Sequence, residues 1–272
     1  MNKQSVSQLN VYPIKSLKGI SLSEVTIDMR GFRHDRRRML IDADGVFFTQ
    51  RTFPKMATIS VGLNGNGMNA SANGFEPLNF PLEPGTGKRQ EVTIWDSICE
   101  AENYDDSVNR WFSDVLETNC RLVLMPETTD RRVDPQYAVR KDVDVVSFAD
   151  GYPFLLIGER ALADLNSRLD EPVPMNRFRP NIVASGADAF AEDDWKKIRI
   201  GETVFHVVKP CARCVVTTVD QSTGEKTEKE PLKTLSTYRN RDGKVLFGQN
   251  LIAEKGGGVI RVGDEIEILA TG

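Results

Sequence analysis

The sequence KPCARCVVTTVD at residues 209–220 combines two thiols, a cation between them and a run of β-branched residues. The chain has four cysteines, and Cys211 and Cys214 both lie in this window. β-Branched residues favour extended backbone, so residues 215–219 predict a β-strand that begins directly after the second cysteine. A thiolate is a common soft metal ligand and a common nucleophile, and Arg213 would favour its charged form. We therefore expect the chemistry of the protein at the start of this strand.

The spacing of the cysteine pair is compatible with several kinds of site. A Cys-x-x-Cys pair serves as a redox dithiol, as half of a zinc site, or as a metal site in which one thiolate binds and the other is a neighbour. A thioredoxin-type dithiol needs a following helix, which the predicted strand disfavours. A four-cysteine zinc site would need Cys99 and Cys120, which form no second pair of closely spaced ligands. Two buried core thiols are a further alternative, which Arg213 disfavours.

Length and composition indicate a globular protein with one or two domains. The chain has 272 residues, of which 40% are hydrophobic and 27% charged, and no apolar run approaches the ~18 residues that suggest a membrane span. The formal net charge of −4 argues against a general attraction to nucleic acids or anionic membranes. The N-terminus lacks the pattern of a secretory signal, so we expect a cytoplasmic protein whose cysteine pair binds a metal or acts in redox chemistry.

Short apolar runs separated by turns predict a mainly β fold with a few helices, built from β-barrels or sandwiches. The predicted strands include residues 6–14, 22–29, 91–102, 182–184, 198–200, 204–208 and 215–219, with a final pair around residues 263–264. Two helices are predicted from their apolar spacing, at residues 105–116 and 159–169. The charged segment at residues 126–142 has no apolar periodicity, so we place a domain boundary between residues 128 and 129.

Several cations lie at turns marked by proline or glycine, where side chains and backbone N–H groups can converge on an anion. These loop residues are Lys15 with Ser16, Arg36 to Arg38, Arg177 and Arg179. A phosphate-bearing ligand fits such a set. Nucleic acid would need stacking aromatics among the cations, and these loops supply only Tyr12 and Phe178. A thiolate and an anion site together suggest a cofactor that combines a soft metal with a phosphate.

A series of motifs resembles, in the same order, that of MOSC-domain proteins, and more closely that of bacterial relatives of the mitochondrial amidoxime-reducing component. The motifs are YPIKSLKG at 12–19, SFADGYP at 147–153, FRPN at 178–181, PCARC at 210–214 with TTVD at 217–220, EPLKTL at 230–235 and FGQN at 247–250. The likeness runs from about Val6 to Leu269. It implies an N-terminal β-barrel domain, residues 1–128, and a C-terminal MOSC β-barrel, residues 129–272, with a molybdenum cofactor bound between them.

The resemblance also implies roles for individual residues. The last cysteine of the Cys-x-Arg-Cys motif ligates the molybdenum in the family, which makes Cys214 the metal ligand and Cys211 a neighbour. The positions that would bind the molybdopterin and its phosphate are Lys15, Ser16, Arg36, Gly151, Tyr152, Arg179, Asn181 and Arg213. Tyr152 stands where mitochondrial relatives carry a smaller polar residue. Asp150 and His206 are candidates for a proton donor, although strand alternation makes a packed or capped histidine the expected interpretation of His206.

The function implied by the resemblance is a molybdenum-dependent oxidoreductase with Cys214 as its catalytic residue. It would reduce N-hydroxylated compounds, namely hydroxylamines, amidoximes and N-hydroxylated nucleobases, to amines or amidines. The alternative is a cofactor-binding or sulfur-carrier module. Many bacterial relatives continue into a ferredoxin-like module, whose cysteine cluster this sequence lacks. Either this is an excised catalytic portion, or the electrons come from a separate flavin or iron–sulfur reductase, which is the donor we expect. We expect no nucleic acid partner.

Overall fold

β-Strands form most of the regular structure in the computed structural model, which describes residues 3–65, 67–227 and 229–272. In chain order the strands are β1 Ser5–Val11, β2 Ile20–Leu22, β3 Glu24–Asp28, β4 Gly31–Phe32, β5 Arg38–Ile41, β6 Ser60–Asn64, β7 Gly67–Ser71, β8 Leu78–Pro81, β9 Arg89–Ile94, β10 Ser97–Asn103, β11 Arg121–Leu124, β12 Phe154–Gly158, β13 Ile182–Ser185, β14 Trp195–Ile200, β15 Thr203–Ala212, β16 Asn240–Arg241, β17 Lys244–Ala253, β18 Val259–Arg261 and β19 Ile266–Thr271. The α-helices are α1 Asp106–Leu116, α2 Glu159–Asn166 and α3 Leu232–Tyr238, and short 3-10 helices lie at Pro54–Thr58, Met175–Arg177, Ala191–Asp193 and Val215–Thr218. The predicted mainly β fold with a few helices is confirmed.

The helix α1 forms as its sequence predicts. The carboxylate of Asp105, its N-cap, accepts hydrogen bonds from the backbone N–H groups of Ser107 and Val108, which have no partner within the first turn. The buried side chains of α1 are Val108, Phe112, Val115 and Leu116, which pack in one cluster with the sheet β6–β7–β8.

The other helices differ from the prediction. Helix α2 begins at Glu159 as predicted but ends at Asn166, whose side chain bonds both backbone groups of Val173 and so turns the chain. Helix α3 was not predicted. Within the described part of the chain, none of the helices is long and apolar enough to cross a membrane.

The largest sheet joins the two ends of the sequence. Its strand order is β19–β14–β15–β17–β12–β13–β1–β2, with β16 paired to β17. Strand β1 lies antiparallel to β13, with Leu9 opposite Ile182, while β12 and β13 are parallel. The first strands of the chain are therefore hydrogen-bonded into a sheet made otherwise by its second half. The domain boundary between residues 128 and 129 stays a prediction.

Three smaller sheets complete the described structure, in the orders β5–β11–β10–β9, β18–β3–β4 and β6–β7–β8. The predicted strand at residues 91–102 is a hairpin of β9 and β10 that turns at Trp95 and Asp96. The predicted strand at 22–29 is divided between β2 and β3. The expected final pair of strands is also corrected: β18 pairs with β3, and β19 pairs with β14, so the two are not partners of each other.

The strand predicted at residues 215–219 is wrong, because Val215–Thr218 forms a 3-10 helix. The hydroxyl of Thr217 donates to the carbonyl of Cys214 at 3.0 Å, and that of Thr218 donates to the carbonyl of Val215 at 2.8 Å. Such local side-chain hydrogen bonds compete with the pairing of a strand. Cys211 lies near the C-terminal end of β15, and Cys214 is the N-cap residue of the 3-10 helix.

The core of the large sheet contains a group of packed aromatic side chains and is shared with the sheet β18–β3–β4. Phe154 of β12 packs edge-to-face on Phe32 of β4 and on Phe205 of β15, with ring centroids 5.0 and 5.3 Å apart. All three side chains are buried. This packing fixes the strands whose ends carry the loops of the candidate site.

Candidate functional site

All nine residues that the sequence assigns to the cofactor site line one pocket. They are Lys15, Ser16, Arg36, Gly151, Tyr152, Arg179, Asn181, Arg213 and Cys214. The loops that supply them follow β1, β4 and β15 and precede β12 and β13. Sheet pairing therefore brings together residues from both ends of the chain. Cys211, Thr49 and Arg51 line the same pocket.

The two cysteines of the pocket have different cationic partners. Arg213 donates from Nη1 to the sulfur of Cys211 at 2.9 Å and from Nη2 to the carbonyl of Phe178 at 2.7 Å. Arg51 donates from Nη2 to the sulfur of Cys214 at 3.4 Å. Both thiols are partly exposed to the pocket. Arg213 therefore contacts Cys211, whereas Arg51, which no sequence motif indicated, contacts Cys214.

Two half-buried guanidinium groups flank the ring of Tyr12. The Cζ atoms of Arg36 and Arg179 each lie 4.2 Å from the ring centroid. Arg36 is held by Asp35 at 2.7 Å and by the amide oxygen of Asn181 at 3.0 Å. Burial lowers the pKa of Arg179 to about 10, so both groups remain cationic at neutral pH. This part of the pocket can bind an anion.

Several residues of the site have left-handed backbone conformations. The φ angles of Ser16, Arg36 and Arg179 are 67°, 47° and 54°. Non-glycine residues adopt this region at a cost in free energy, and such residues cluster at functional sites because the surrounding structure holds them there. Three of the predicted cofactor residues therefore have energetically unfavourable backbone conformations, which the surrounding structure maintains.

Lys15, Asp150 and Trp95 form a second polar group at the pocket. The ammonium of Lys15 donates to the carbonyl of Phe148 at 2.9 Å and forms a short ion pair with Asp150, which also accepts from the Trp95 indole at 3.1 Å. Desolvation acts to raise the pKa of Asp150, but Lys15, Trp95 and Arg51 outweigh it and hold that pKa well below its usual range. Asp150 is therefore a carboxylate at neutral pH, which disfavours it as the proton donor.

His206 is a hydrogen-bonded strand residue. Its Nε2 lies 2.8 Å from Oε1 of Glu254, and it is half-buried on β15. The expectation of a packed or capped histidine is confirmed. His206 is not among the lining residues of the pocket, so it is no candidate for the donor there.

Only some of the loop cations reach the pocket. Arg37 pairs with Asp28 and Glu127, and Arg38 donates to the Tyr104 hydroxyl. Arg177 pairs with Asp220. Of the run Arg36 to Arg38, therefore, only Arg36 contributes to the pocket, because the neighbouring side chains of the segment point to different sides of the structure.

The remaining cysteines lie elsewhere. Cys99 and Cys120 are buried in two different apolar clusters of the N-terminal half, and neither lines the pocket of Cys211 and Cys214. Within residues 3–65, 67–227 and 229–272, no three His, Cys, Asp or Glu side chains come together to hold a metal ion.

The pocket fits a cofactor that carries a metal and a phosphate. Its lining includes five cations, Lys15, Arg36, Arg51, Arg179 and Arg213, and one carboxylate, Asp150. The buried Nε of Arg213 has no hydrogen-bond partner among the described residues. The partly exposed thiol of Cys214 suits a metal whose other ligands come with the cofactor itself.

Comparison with known proteins decides the family. The model for the MOSC N-terminal beta barrel domain matches residues 3–119, and that for the MOSC domain matches residues 143–267. Mitochondrial amidoxime reducing component 2 of Rattus norvegicus is 36% identical over 280 residues, which cover 96% of this chain and 82% of the relative. The chain belongs to the MOSC family. Its predicted architecture of an N-terminal β-barrel domain and a MOSC β-barrel is confirmed.

Other relatives of this MOSC protein carry two kinds of name. Mitochondrial amidoxime-reducing component 1 of Homo sapiens is 36% identical over 97% of this chain and 83% of its own length. Molybdenum cofactor sulfurase of Oryza sativa subsp. japonica is 33% identical over 88% of this chain, which corresponds to 31% of the sulfurase. Both matched regions of the MOSC protein line the pocket, since Lys15 and Arg36 lie in the first and Arg179 and Cys214 in the second.

Proposed function

We propose that this protein binds a molybdenum cofactor in the described pocket, with Cys214 as the thiolate ligand, and reduces N-hydroxylated compounds to amines or amidines. The observation that carries the proposal is the convergence of the Cys214 thiol and five cations in one pocket. The names of the rat and human relatives, which refer to amidoxime reduction, support the choice of substrate.

The residues of the pocket would hold the cofactor by charge and hydrogen bonding. Lys15, Arg36 and Arg179 would neutralise the phosphate of the pterin, because each is a buried or partly buried cation facing the pocket. Ser16 and Asn181 would add neutral contacts, and Asn181 also fixes the Arg36 guanidinium. When bound, the cofactor would supply a centre that can exchange two electrons and take an oxygen atom.

Three further residues of the pocket would also contact the cofactor. Gly151 and Tyr152 follow Asp150, and Arg213 precedes the ligand Cys214. Burial raises the pKa of Tyr152 above its usual value, so its phenol stays protonated and can donate a hydrogen bond. The ring of Tyr152 lies beside the ammonium of Lys209, at 5.7 Å from the centroid.

The reaction needs an external source of electrons. Reduction of an amidoxime consumes two electrons and two protons, breaks the N–O bond, and yields an amidine and water. We propose that a separate flavin or iron–sulfur protein delivers the electrons and that the substrate is a small N-hydroxylated molecule. The cytoplasmic location stays a prediction.

The ligand assignment is tested by two serine variants of protein produced in a host that makes the cofactor. Molybdenum and pterin content should collapse in Cys214→Ser and remain largely intact in Cys211→Ser, because only the first removes the metal ligand. The wild-type protein, given a chemical reductant and an aryl amidoxime, should form the amidine. Equal metal retention in both variants would remove the ligand assignment, and zinc in place of molybdenum would contradict the choice of cofactor.

A second candidate function is a cofactor-binding or sulfur-carrier module. It is favoured by the second thiol of the pocket, because the partly exposed Cys211 lines it beside Cys214 and could carry a sulfur atom. The rice relative named a molybdenum cofactor sulfurase agrees with it. Protein that binds the cofactor tightly but reduces no amidoxime with several electron donors would favour this function.

A further inference from the structure

Arg51 is not among the cations proposed to bind the phosphate of the cofactor. Its Nη2 is 3.4 Å from the sulfur of Cys214, whereas the cations proposed for the phosphate surround Tyr12 and Asp150. A molecule that approaches the metal on the side of Arg51 would meet its guanidinium donors directly.

Trp95 supports the Arg51 side chain from behind. The guanidinium carbon lies 4.3 Å from the Trp95 ring centroid, a distance typical of a cation–π contact. The indole ring packs at 5.0 Å against Phe47 and donates from Nε1 to Asp150 at 3.1 Å. The indole ring that contacts Arg51 is therefore held in place by Phe47 and by the carboxylate of Asp150.

The backbone of Trp95 is unusual for a bulky residue. Trp95 is the first residue of the two-residue turn between β9 and β10, and its φ is 53°. Glycine is usual at a turn position with positive φ, and a bulky aromatic there is strained. The side chain is also 40% exposed, so burial does not explain the presence of tryptophan. Its contacts to Arg51 and Asp150 account for the tryptophan at this position.

The main chain of Arg51 also makes hydrogen bonds. Its carbonyl accepts from the ammonium of Lys226 at 2.8 Å, and its N–H donates to the Thr49 hydroxyl at 3.2 Å. The preceding residue, Gln50, is fully buried and bonds Gln221. A donor fixed on both sides in this way is preorganised, which is the property that makes such groups effective in stabilising developing charge.

We propose that Arg51, backed by Trp95, is a catalytic residue that donates hydrogen bonds to the oxygen of the N–O bond in the substrate. This inference rests on the proposed function. As the bond breaks, the nitrogen keeps an electron pair and is protonated, and the oxygen, with two electrons supplied by the reductant and protons from water, leaves as water. Arg51 stabilises the negative charge on the oxygen during cleavage and keeps its own proton, since a guanidinium remains charged throughout.

Variants of Arg51 and Trp95 test the proposal in protein loaded with cofactor. Arg51→Met should retain molybdenum and lose about 100-fold in kcat/KM for an aryl amidoxime, the typical loss on removing one charge-stabilising donor. Arg51→Lys should recover part of the activity, because it keeps the charge but not the planar fork. Trp95→Ala should lose about threefold through the cation–π contact, and Trp95→Phe should lose less. Arg199→Met is the matched control, since Arg199 is an exposed arginine paired with Glu267 away from the pocket.

Equilibrium binding to the oxidised, loaded protein gives a readout that does not depend on turnover. Calorimetry should show weaker binding of the amidoxime to Arg51→Met by about tenfold, as expected for loss of a charge-assisted hydrogen bond. Binding of the matching amidine, a cation without the oxygen, should be unchanged or tighter in Arg51→Met.

The outcomes separate this proposal from the proposed function. Wild-type activity in Arg51→Met would overturn the role of Arg51 alone. Loss of molybdenum in Arg51→Met would also overturn it, because the side chain would then hold the cofactor. Equal weakening of amidoxime and amidine binding would exclude a contact to the oxygen. If loaded wild-type protein reduces no N-hydroxylated compound, the proposed function fails and this role fails with it.

Discussion

The buried amides of Gln50 and Gln221 should be thermodynamically coupled across the two halves of the chain. Gln50 is 0% exposed and Gln221 5%. Each amide donates to the oxygen of the other, at 3.2 and 3.0 Å, although the residues are 171 positions apart. Gln50 also donates to the carbonyl of Ser16 at 2.7 Å, and Gln221 accepts from Arg179 at 3.3 Å. The pair therefore connects two loops of the candidate site.

The expected cost follows from what each substitution leaves unpaired. Methionine is of similar length but cannot replace the amide, so Gln221→Met removes both hydrogen bonds to Gln50 and leaves a buried amide oxygen without a donor. A buried unsatisfied polar group costs about 1–3 kcal/mol, and we expect Gln50→Met and Gln221→Met each to lower the free energy of unfolding by about 2–3 kcal/mol. The loss of free energy of unfolding in the double variant should be about 1–2 kcal/mol smaller than the sum of the two single losses. Each single variant already removes the hydrogen bonds between Gln50 and Gln221, so the sum counts that loss twice.

Urea denaturation of the four proteins of this cycle measures the coupling. The exposed ion pair of Arg89 and Glu100, whose side chains are each 46% exposed, provides a control cycle, for which we expect no more than about 0.5 kcal/mol. Additivity of the two glutamine substitutions within about 0.5 kcal/mol would refute the coupling. Unchanged stability in either single variant would refute the premise that the amides are buried partners.

Two further predictions concern the folded state. Asp105→Ala should lower the free energy of unfolding by about 1 kcal/mol, since the helix α1 loses the acceptor for the N–H groups of Ser107 and Val108; an unchanged denaturation midpoint would contradict the cap. Burial, and then Arg38, lower the pKa of His34 to about 4 from 6.5, so between these values the unfolded chain binds a proton that the folded protein does not. The free energy of unfolding should therefore fall as the pH drops through this window, by about 1–2 kcal/mol after allowance for the partial exposure of His34. His34→Asn, which tolerates the left-handed backbone at φ 71°, should reduce that fall, and denaturation of both proteins at each end of the window decides the point.

The location of the site could be predicted from the sequence because its chemistry is carried by short local motifs. The loop with Lys15 and Ser16, the FRPN loop and the PCARC segment each have residue types and turn signals that are visible within a few positions. Their convergence in one pocket was expected from the resemblance and is found in the structure. The proposed roles of the individual residues stay predictions.

The contribution of Arg51 and Trp95 could not be predicted from local pattern. Arg51 follows an ordinary strand-like segment, and its contact with Cys214 spans 163 positions. Trp95 gives a weak signal, since an aromatic residue at a two-residue turn between strands is unusual. The helical turn after Cys214 was also missed, because the β-branched run favours a strand and only the hydroxyl contacts of Thr217 and Thr218 reverse that preference.

The sequence by itself determined the mainly β class, the first helix and the chemical groups of the pocket, because strand alternation, capping and side-chain chemistry are local properties. The tertiary structure decided which groups meet. Arg36 lines the pocket, whereas Arg37 and Arg38 bind other partners. Arg51 contacts the sulfur of Cys214, whereas Arg213 contacts that of Cys211. The physical reason is that the pairing of β1 with β13 and the burial of distant side chains select contacts between residues far apart in the chain, and no local pattern encodes that selection.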